Sequence, residues 1–251
     1  MLAATMLWEV AAFVVLAAAF EAWERLRPVR RLAWAPRGID LLSFACAVLF
    51  AWLSRALIDA AMARLDLGLP IGALAWLRSL PTWQKLLLGF LLIDFTVYWL
   101  HRAQHAFGVL WRTHRWHHSS EQVNWLSGFR TSLLHSFLYN LPQTVVAIGL
   151  LGLDVPEAGL AFALGVFVQL WDHANANAKI GWLKLIFIRP QDHRLHHAAE
   201  RARPANFGFV FSVWDRLFAT YADPDSMPAD YRLGLAVTAP VAAVPRMLLG
   251  V

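Results

Sequence analysis

The sequence predicts an all-α fold: a polytopic membrane helix bundle of about four to five spans, with a cytoplasmic helical cap that holds a histidine-rich dimetal site. Three observations carry this expectation. The 251 residues are 59% hydrophobic, with 13 Trp, 16 Phe and a mean hydropathy of +0.48, too apolar for an ordinary soluble domain of this length. Apolar stretches of about twenty residues recur along the chain, the length that crosses a hydrocarbon core of about 30 Å. Eight of the 10 histidines fall into three tight clusters. No internal repeat or low-complexity tract divides the chain, so residues 1–251 read as one domain.

The expected spans are 2–23, 39–61, 82–103, 131–152 and 156–177. The first carries Glu9, and the second carries Arg55 and Asp59, four residues apart and able to pair or snorkel. A cleaved signal peptide is not expected, because residues 1–8 have no basic region and the apolar stretch continues to helix length. Residues 66–81, broken by Gly and Pro, read as a short interfacial or re-entrant piece. From 178 onward short apolar runs alternate with Pro and charge, as in a cap. The apolar end, 233–251, suits a segment on the bilayer surface or a partner-binding tail.

Charge sets the expected orientation. Arg25, Arg27, Arg30, Arg31 and Arg37 follow the first span, Arg102, Arg112, Arg115 and Arg130 the third, and Lys179, Lys184, Arg189, Arg194, Arg201, Arg203 and Arg216 are among those after the fifth. By the positive-inside rule the N-terminus faces outward and this basic side is cytoplasmic. The same count accounts for the net charge of +5, and no basic block with interleaved aromatics points to nucleic acid. The lone Cys46 lies in an apolar run, which excludes a disulfide framework and a thiolate metal site.

The clusters are His101 and His105 (HxxxH), His114, His117 and His118 (HxxHH), and His193, His196 and His197 (HxxHH). Residues three or four apart share a helix face, so each cluster turns its imidazoles to one side. Imidazole suits Zn, Cu, Fe and Ni, and ten nitrogens exceed what one ion can use, so two ions are the economical reading. On the expected topology all ten histidines lie at the cytoplasmic membrane face, which brings in His135 and His173 at the ends of their spans. Such a pair of ions fits an oxygenase, in which di-iron activates dioxygen against a C–H bond. The alternatives are a histidine-rich metal transporter and a protein with a structural metal site.

The run DFTVYWLHRAQHAFGVLWRTHRWHHSS (94–120), FRTSLLH ending at His135, WDHANAN (171–177), DHRLHH (192–197), and NFG followed by VWDRLFATY (206–221) resemble the fatty acid hydroxylase, or sterol desaturase, superfamily over about residues 85–222. The resemblance implies a membrane non-haem di-iron monooxygenase, alkylglycerol-monooxygenase-like, that hydroxylates or desaturates a lipid or other apolar substrate. Its cofactors would be two Fe ions, replaceable by Zn in purified protein, with dioxygen as co-substrate. The eight clustered histidines would be the iron ligands, with His135 and His173 completing the set. One departure is visible: where the family often has WDRLFGT, this chain has Ala219.

Further residues carry weaker expectations. Asp94, two turns before His101, could fix an imidazole tautomer or make a structural hydrogen bond. Asn177, four residues after His173, could reach a metal-bound water. Asp172 and Asp192 read as capping or salt-bridge groups, and Trp111, Trp116 and Trp125 as substrate-entry or interface residues. No flavin fingerprint, cytochrome b5-type haem segment or cysteine cluster is recognisable, so electrons are expected from a separate donor of cytochrome b5, ferredoxin or flavodoxin type. It would dock on a basic patch of Arg189, Arg194, Arg201 and Arg203.

Overall fold

The computed structural model describes residues 2–33, 37–64, 71–153, 155–199, 204–226, 230–237 and 241–251. Its long helices are α1 (Leu2–Leu26), α2 (Arg37–Arg64), α4 (Thr82–Ala106) and α7 (Val155–His173), with α6 (Leu133–Thr144) extended by a π turn at Val145–Leu150. Short helices α3 (Ile71–Arg78), α5 (Gly108–His114), α8 (Pro190–His196), α9 (Val213–Leu217) and α10 (Val244–Leu249) join them. Strand pairing among the described residues is confined to isolated bridges, as at Ala198 and Leu233. Helix α1 packs along α7, α2 along α6, and α4 against α5 and α6.

Among the described residues, Arg37–Ala61 and Thr82–Ala106 are long and apolar enough to cross a membrane. Their polarity is inverted relative to a water-soluble helix. On α4, Trp83, Leu87, Leu91, Phe95 and Trp99 form an exposed stripe with a spacing of four, while Asp94, His101 and Gln104 are buried on the other side. On α2, Leu41, Leu42, Val48, Leu49 and Trp52 are exposed, and Asp40, Ser43 and Ser54 are buried. The buried Asp40 receives a 2.6 Å bond from Arg130 Nε, tying α2 to the segment after the second histidine cluster.

Two elements differ from expectation. The stretch 131–152 is not one regular helix, because Pro142 lacks an N–H and strains the preceding turn. The ladder slips to wider spacing beyond it, as in the 3.0 Å bond from Leu151 N to Val146 O. Helix α7 stops at His173 and not at 177, because buried Asn175 is taken by the α1–α2 linker: its side chain accepts from Arg30 N and donates to Arg30 O. The C-terminal segment folds back on the protein. Gly234 N donates to His197 O, Ala199 N to Arg232 O, and Met247 of α10 is buried. Of the stretch 66–81, residues 66–70 lie outside the described residues, and 71–78 form α3, whose Arg78 donates to Gly149 O.

Candidate metal centre

Five segments deliver the histidines. Helix α4 places His101 and His105 one turn apart. Helix α5 ends at His114, and a 3₁₀ turn carries His117 and His118. Ser132 caps α6 by accepting from His135 N at 3.1 Å while donating to Thr113 O at 2.7 Å. Helix α8 starts with Pro190, and Asp192 closes its first turn by accepting from Arg189 N and pairing with the Arg189 guanidinium at 2.7 Å.

The structure sorts nine histidines into two groups. His101, His105, His114, His118 and His196 form one, and His117, His173, His193 and His197 the other; within each, one ring nitrogen per residue lies within 4.8 Å of all the others. Both HxxHH clusters are split between the groups. On α8 and its C-cap, His193 and His197 face the second group and His196 the first, which follows from the offset of residue i+3 against i+4. The groups adjoin, with His118 and His197 stacked at 4.3 Å between ring centroids.

The donor set fits metal. The Nε2 atoms of His173 and His117, of His193 and His173, of His196 and His118, and of His197 and His193 face one another at 3.0–3.2 Å. At metal–nitrogen bonds of about 2.0–2.1 Å, neighbouring nitrogens of one ion stand about 3 Å apart and opposite ones about 4.2 Å. Buried Nε2 atoms of His101, His105 and His114 have no hydrogen-bond partner. Burial, aided by neighbouring imidazoles, pushes His114, His117, His118, His193, His196 and His197 well below their ordinary pKa. They are therefore neutral at pH 7, with lone pairs free to bind an ion.

Backbone carbonyls fix several rings. His101 Nδ1 bonds Phe207 O at 2.9 Å, His196 Nδ1 bonds Ala205 O at 2.8 Å, and His173 Nδ1 bonds Gln169 O at 2.9 Å. With the proton on Nδ1, Nε2 is left bare. The carbonyls of Ala205 and Phe207 flank Asn206, whose φ of 58° is left-handed and whose buried side chain donates to Asp192 O and Ala222 O and accepts from Ala222 N. Asp215 holds the same loop by accepting from Phe207 N and Gly208 N. Sequence reasoning missed Asn206 as a positioning residue, although it lies in the NFG run; its signal is the asparagine itself, a residue type that tolerates left-handed backbone. It also missed Gln104, buried three residues after His101, which donates to Thr113 Oγ1 and faces His135 Nδ1.

His135 lies outside both groups. Its Nδ1 faces His114 Nδ1 at 3.2 Å, and its ring stacks on Tyr139 at 4.1 Å. Asp94 touches no histidine: its carboxylate accepts from Val210 N, Phe211 N and Trp214 Nε1, so the structural alternative holds and the tautomer role does not. Asn177 is exposed and accepts from Arg194, because the end of α7 at His173 breaks the expected one-turn relation. Asp172 is buried with both carboxylate oxygens unpartnered, in contrast to the capping or salt-bridge expectation. The expected docking patch also needs correction. Arg189 is buried against Asp192 and Tyr221, and Arg194 is buried with its guanidinium on Ala174 O and Ala176 O, so neither presents charge to a partner. Arg201 and Arg203 lie outside the described residues.

Residues 86–220, which contain every histidine of both groups, match the fatty acid hydroxylase family. The chain belongs to that family. Among curated relatives, it is 33% identical over 146 residues to alkylglycerol monooxygenase of Homo sapiens, covering 56% of this chain and 30% of that protein. It is 30% identical over 150 residues to ornithine lipid hydroxylase OlsE of Rhizobium tropici, covering 59% and 45%. With fatty acid hydroxylase vlmA of Lecanicillium sp it shares 26% over 166 residues, covering 59% and 46%. The matched region thus spans less than half the length of these relatives. No solved structure matches the chain.

Within this family the position of Ala219 is a test of local geometry. Ala219 has a φ of 55°, following α9, where Thr220 N and Tyr221 N both donate to Asp215 O. The turn therefore keeps the left-handed conformation that glycine adopts freely, and alanine carries its strain.

Proposed function

We propose that this chain is a membrane-embedded lipid hydroxylase working through two iron ions. The observation that carries the proposal is the pair of buried, neutral, adjoining nitrogen groups within a family whose named relatives here are lipid hydroxylases and monooxygenases. Histidine ligands would be His101, His105, His114, His118 and His196 for one ion, and His117, His173, His193 and His197 for the other. His135 and Gln104 would support His114 from behind. Bound iron would supply the activation of dioxygen, with two electrons and two protons from outside, so that R–H and O₂ become R–OH and water.

The protein's own contribution is placement and exclusion of water. The carbonyls of Phe207, Ala205 and Gln169 hold three imidazoles, and the 2.6 Å Arg130–Asp40 pair anchors the segment after His118 to α2. A cavity of about 360 Å³ reaches His105, His118 and His196, past Trp111, Leu235 and Ala236, and gives an apolar molecule access to the five-histidine group. The inverted polarity of α2 and α4 supports residence in a bilayer. The bundle would have four to five spans, the N-terminus outside, and the metal centre under a cytoplasmic cap. Electrons would come from a separate donor. Closed groups of mutually facing nitrogens favour catalysis over transport, which needs ligands strung along a path.

Iron-loaded protein in detergent, given a chemical reductant, ¹⁸O₂ and membrane lipid extract, should contain about two ions per chain. It should also place one labelled oxygen in a lipid product. Fully loaded protein with a single ion, or product oxygen drawn from water, overturns the proposal.

A further inference from the structure

Next to the histidine-lined cavity lies a second space of about 360 Å³, bounded by Trp111, Arg115, Leu235, Ala236, Val237, Ala243 and Met247. Trp111, Leu235 and Ala236 line both. The indole of Trp111 stands between them, 5.0 Å from the His105 ring and 5.2 Å from the His118 ring. Apart from Trp111 and Arg115, the second space is walled by aliphatic residues of the C-terminal segment and Met247. Arg115 is drawn to its edge by a 3.0 Å bond to Val251 O. The wall is held in place at both ends: Gly234 N donates to His197 O, and Gly250 packs against Ser132 and Thr113. Leu235, Ala236, Val237, Ala243 and Met247 lie beyond residues 86–220, so that side of the space falls outside the matched family region, while Trp111 and Arg115 lie within it.

From this continuity we infer that the groove between Trp111 and the side chains of Leu235, Ala236, Val237, Ala243 and Met247 holds the saturated hydrocarbon chain of the substrate. In that pose the chain crosses the Trp111 indole, and the carbon to be oxidised lies in the histidine-lined cavity. The inference rests on the hydroxylase reading for the identity of the site, and adds where the chain lies and what limits its length. An apolar space joined to a mixed polar one matches a lipid better than a compact polar metabolite, because only the former removes hydrocarbon from water along the whole wall. Trp111 would set which carbon meets the five-histidine group, and Ala243 with Met247 how much chain fits beyond it.

The test is photolabelling of full-length, iron-loaded protein in detergent with palmitic acid carrying a terminal diazirine, followed by peptide mapping. Label is expected on the peptides holding Trp111, residues 235–237, and Ala243 with Met247. Ala243→Trp and, at the exposed lip, Val237→Trp should each reduce it about tenfold while two ions per chain are retained. In turnover, Ala243→Trp should lower kcat/KM for long chains against short ones by about tenfold, since each methylene in an apolar pocket is worth about that much or more. Label elsewhere, or unchanged in both folded variants, overturns the inference. Labelling needs neither oxygen nor electrons, so the two readings fail separately. Turnover with an unlabelled groove sinks the groove alone, and a labelled groove without turnover sinks the hydroxylase reading alone.

Discussion

Asn206→Ala should empty the five-histidine group in preference to the other. Three hydrogen bonds are lost, to Asp192 O at 2.9 Å, Ala222 O at 3.0 Å and from Ala222 N at 2.8 Å. Each is worth about 1 kcal/mol net, and alanine at a φ of 58° adds about 1 kcal/mol of strain. The loop should be destabilised by about 4 kcal/mol. The carbonyls of Ala205 and Phe207 act on His196 and His101, both in the five-histidine group, so that ion should bear the effect. If half the loss reaches the ligands, affinity falls by more than tenfold, at about 1.4 kcal/mol per decade. The measurement is iron content per chain after dialysis against a graded series of chelators, with the four-histidine ion as internal reference. Asn206→Gly separates the causes: it removes the same bonds but relieves the backbone, and should recover only about 1 kcal/mol of thermal stability. If Asn206→Ala holds both ions as firmly as the parent, the loop is not what positions His101 and His196.

Four further outcomes are expected. Gly128→Ala should strip the four-histidine group instead, because a Cβ there would lie 2.7 Å from His173 Cγ; elemental analysis should show about one ion per chain. Ala219→Gly should raise the thermal midpoint by the equivalent of about 1 kcal/mol, read by scanning fluorimetry, with metal content unchanged. His135→Ala should still load two ions at saturating iron but release the one held by the five-histidine group more readily to chelator; one ion at saturation would instead make His135 a ligand. Arg130→Met leaves Asp40 buried without its ion-pair partner and should cost about 3–5 kcal/mol of stability, most of it restored in the double variant with Asp40→Leu.

The sequence by itself determined the elements whose signal is local. Composition and apolar runs announce helices with lipid-like exteriors, and α2 and α4 carry exposed apolar faces where those runs lie. Histidine spacing announces converging imidazoles, because i, i+3 and i+4 geometry belongs to the helix alone. Spacing could not say which histidines converge with which. The partition that splits each HxxHH between two groups depends on how α8 and the 3₁₀ turn at His117 meet α4 and α7, a matter of long-range packing. The same holds for Asn177, Arg189 and Arg194, misread because their charge or place on an ideal helix was visible while their partners were not, and for Asp94, whose two possible roles spacing left open. Asp94 found Val210, Phe211 and Trp214 more than a hundred residues away. Asn177 lost its helix to the contacts of Asn175 with Arg30, and the two arginines turned inward to Asp192 and to carbonyls at the end of α7. The apolar C-terminal segment was legible as sticky but not as a wall. Its place beside Trp111 follows from backbone bonds between residues 232–234 and 197–199, which carry no side-chain signature and exist only once the chain has folded.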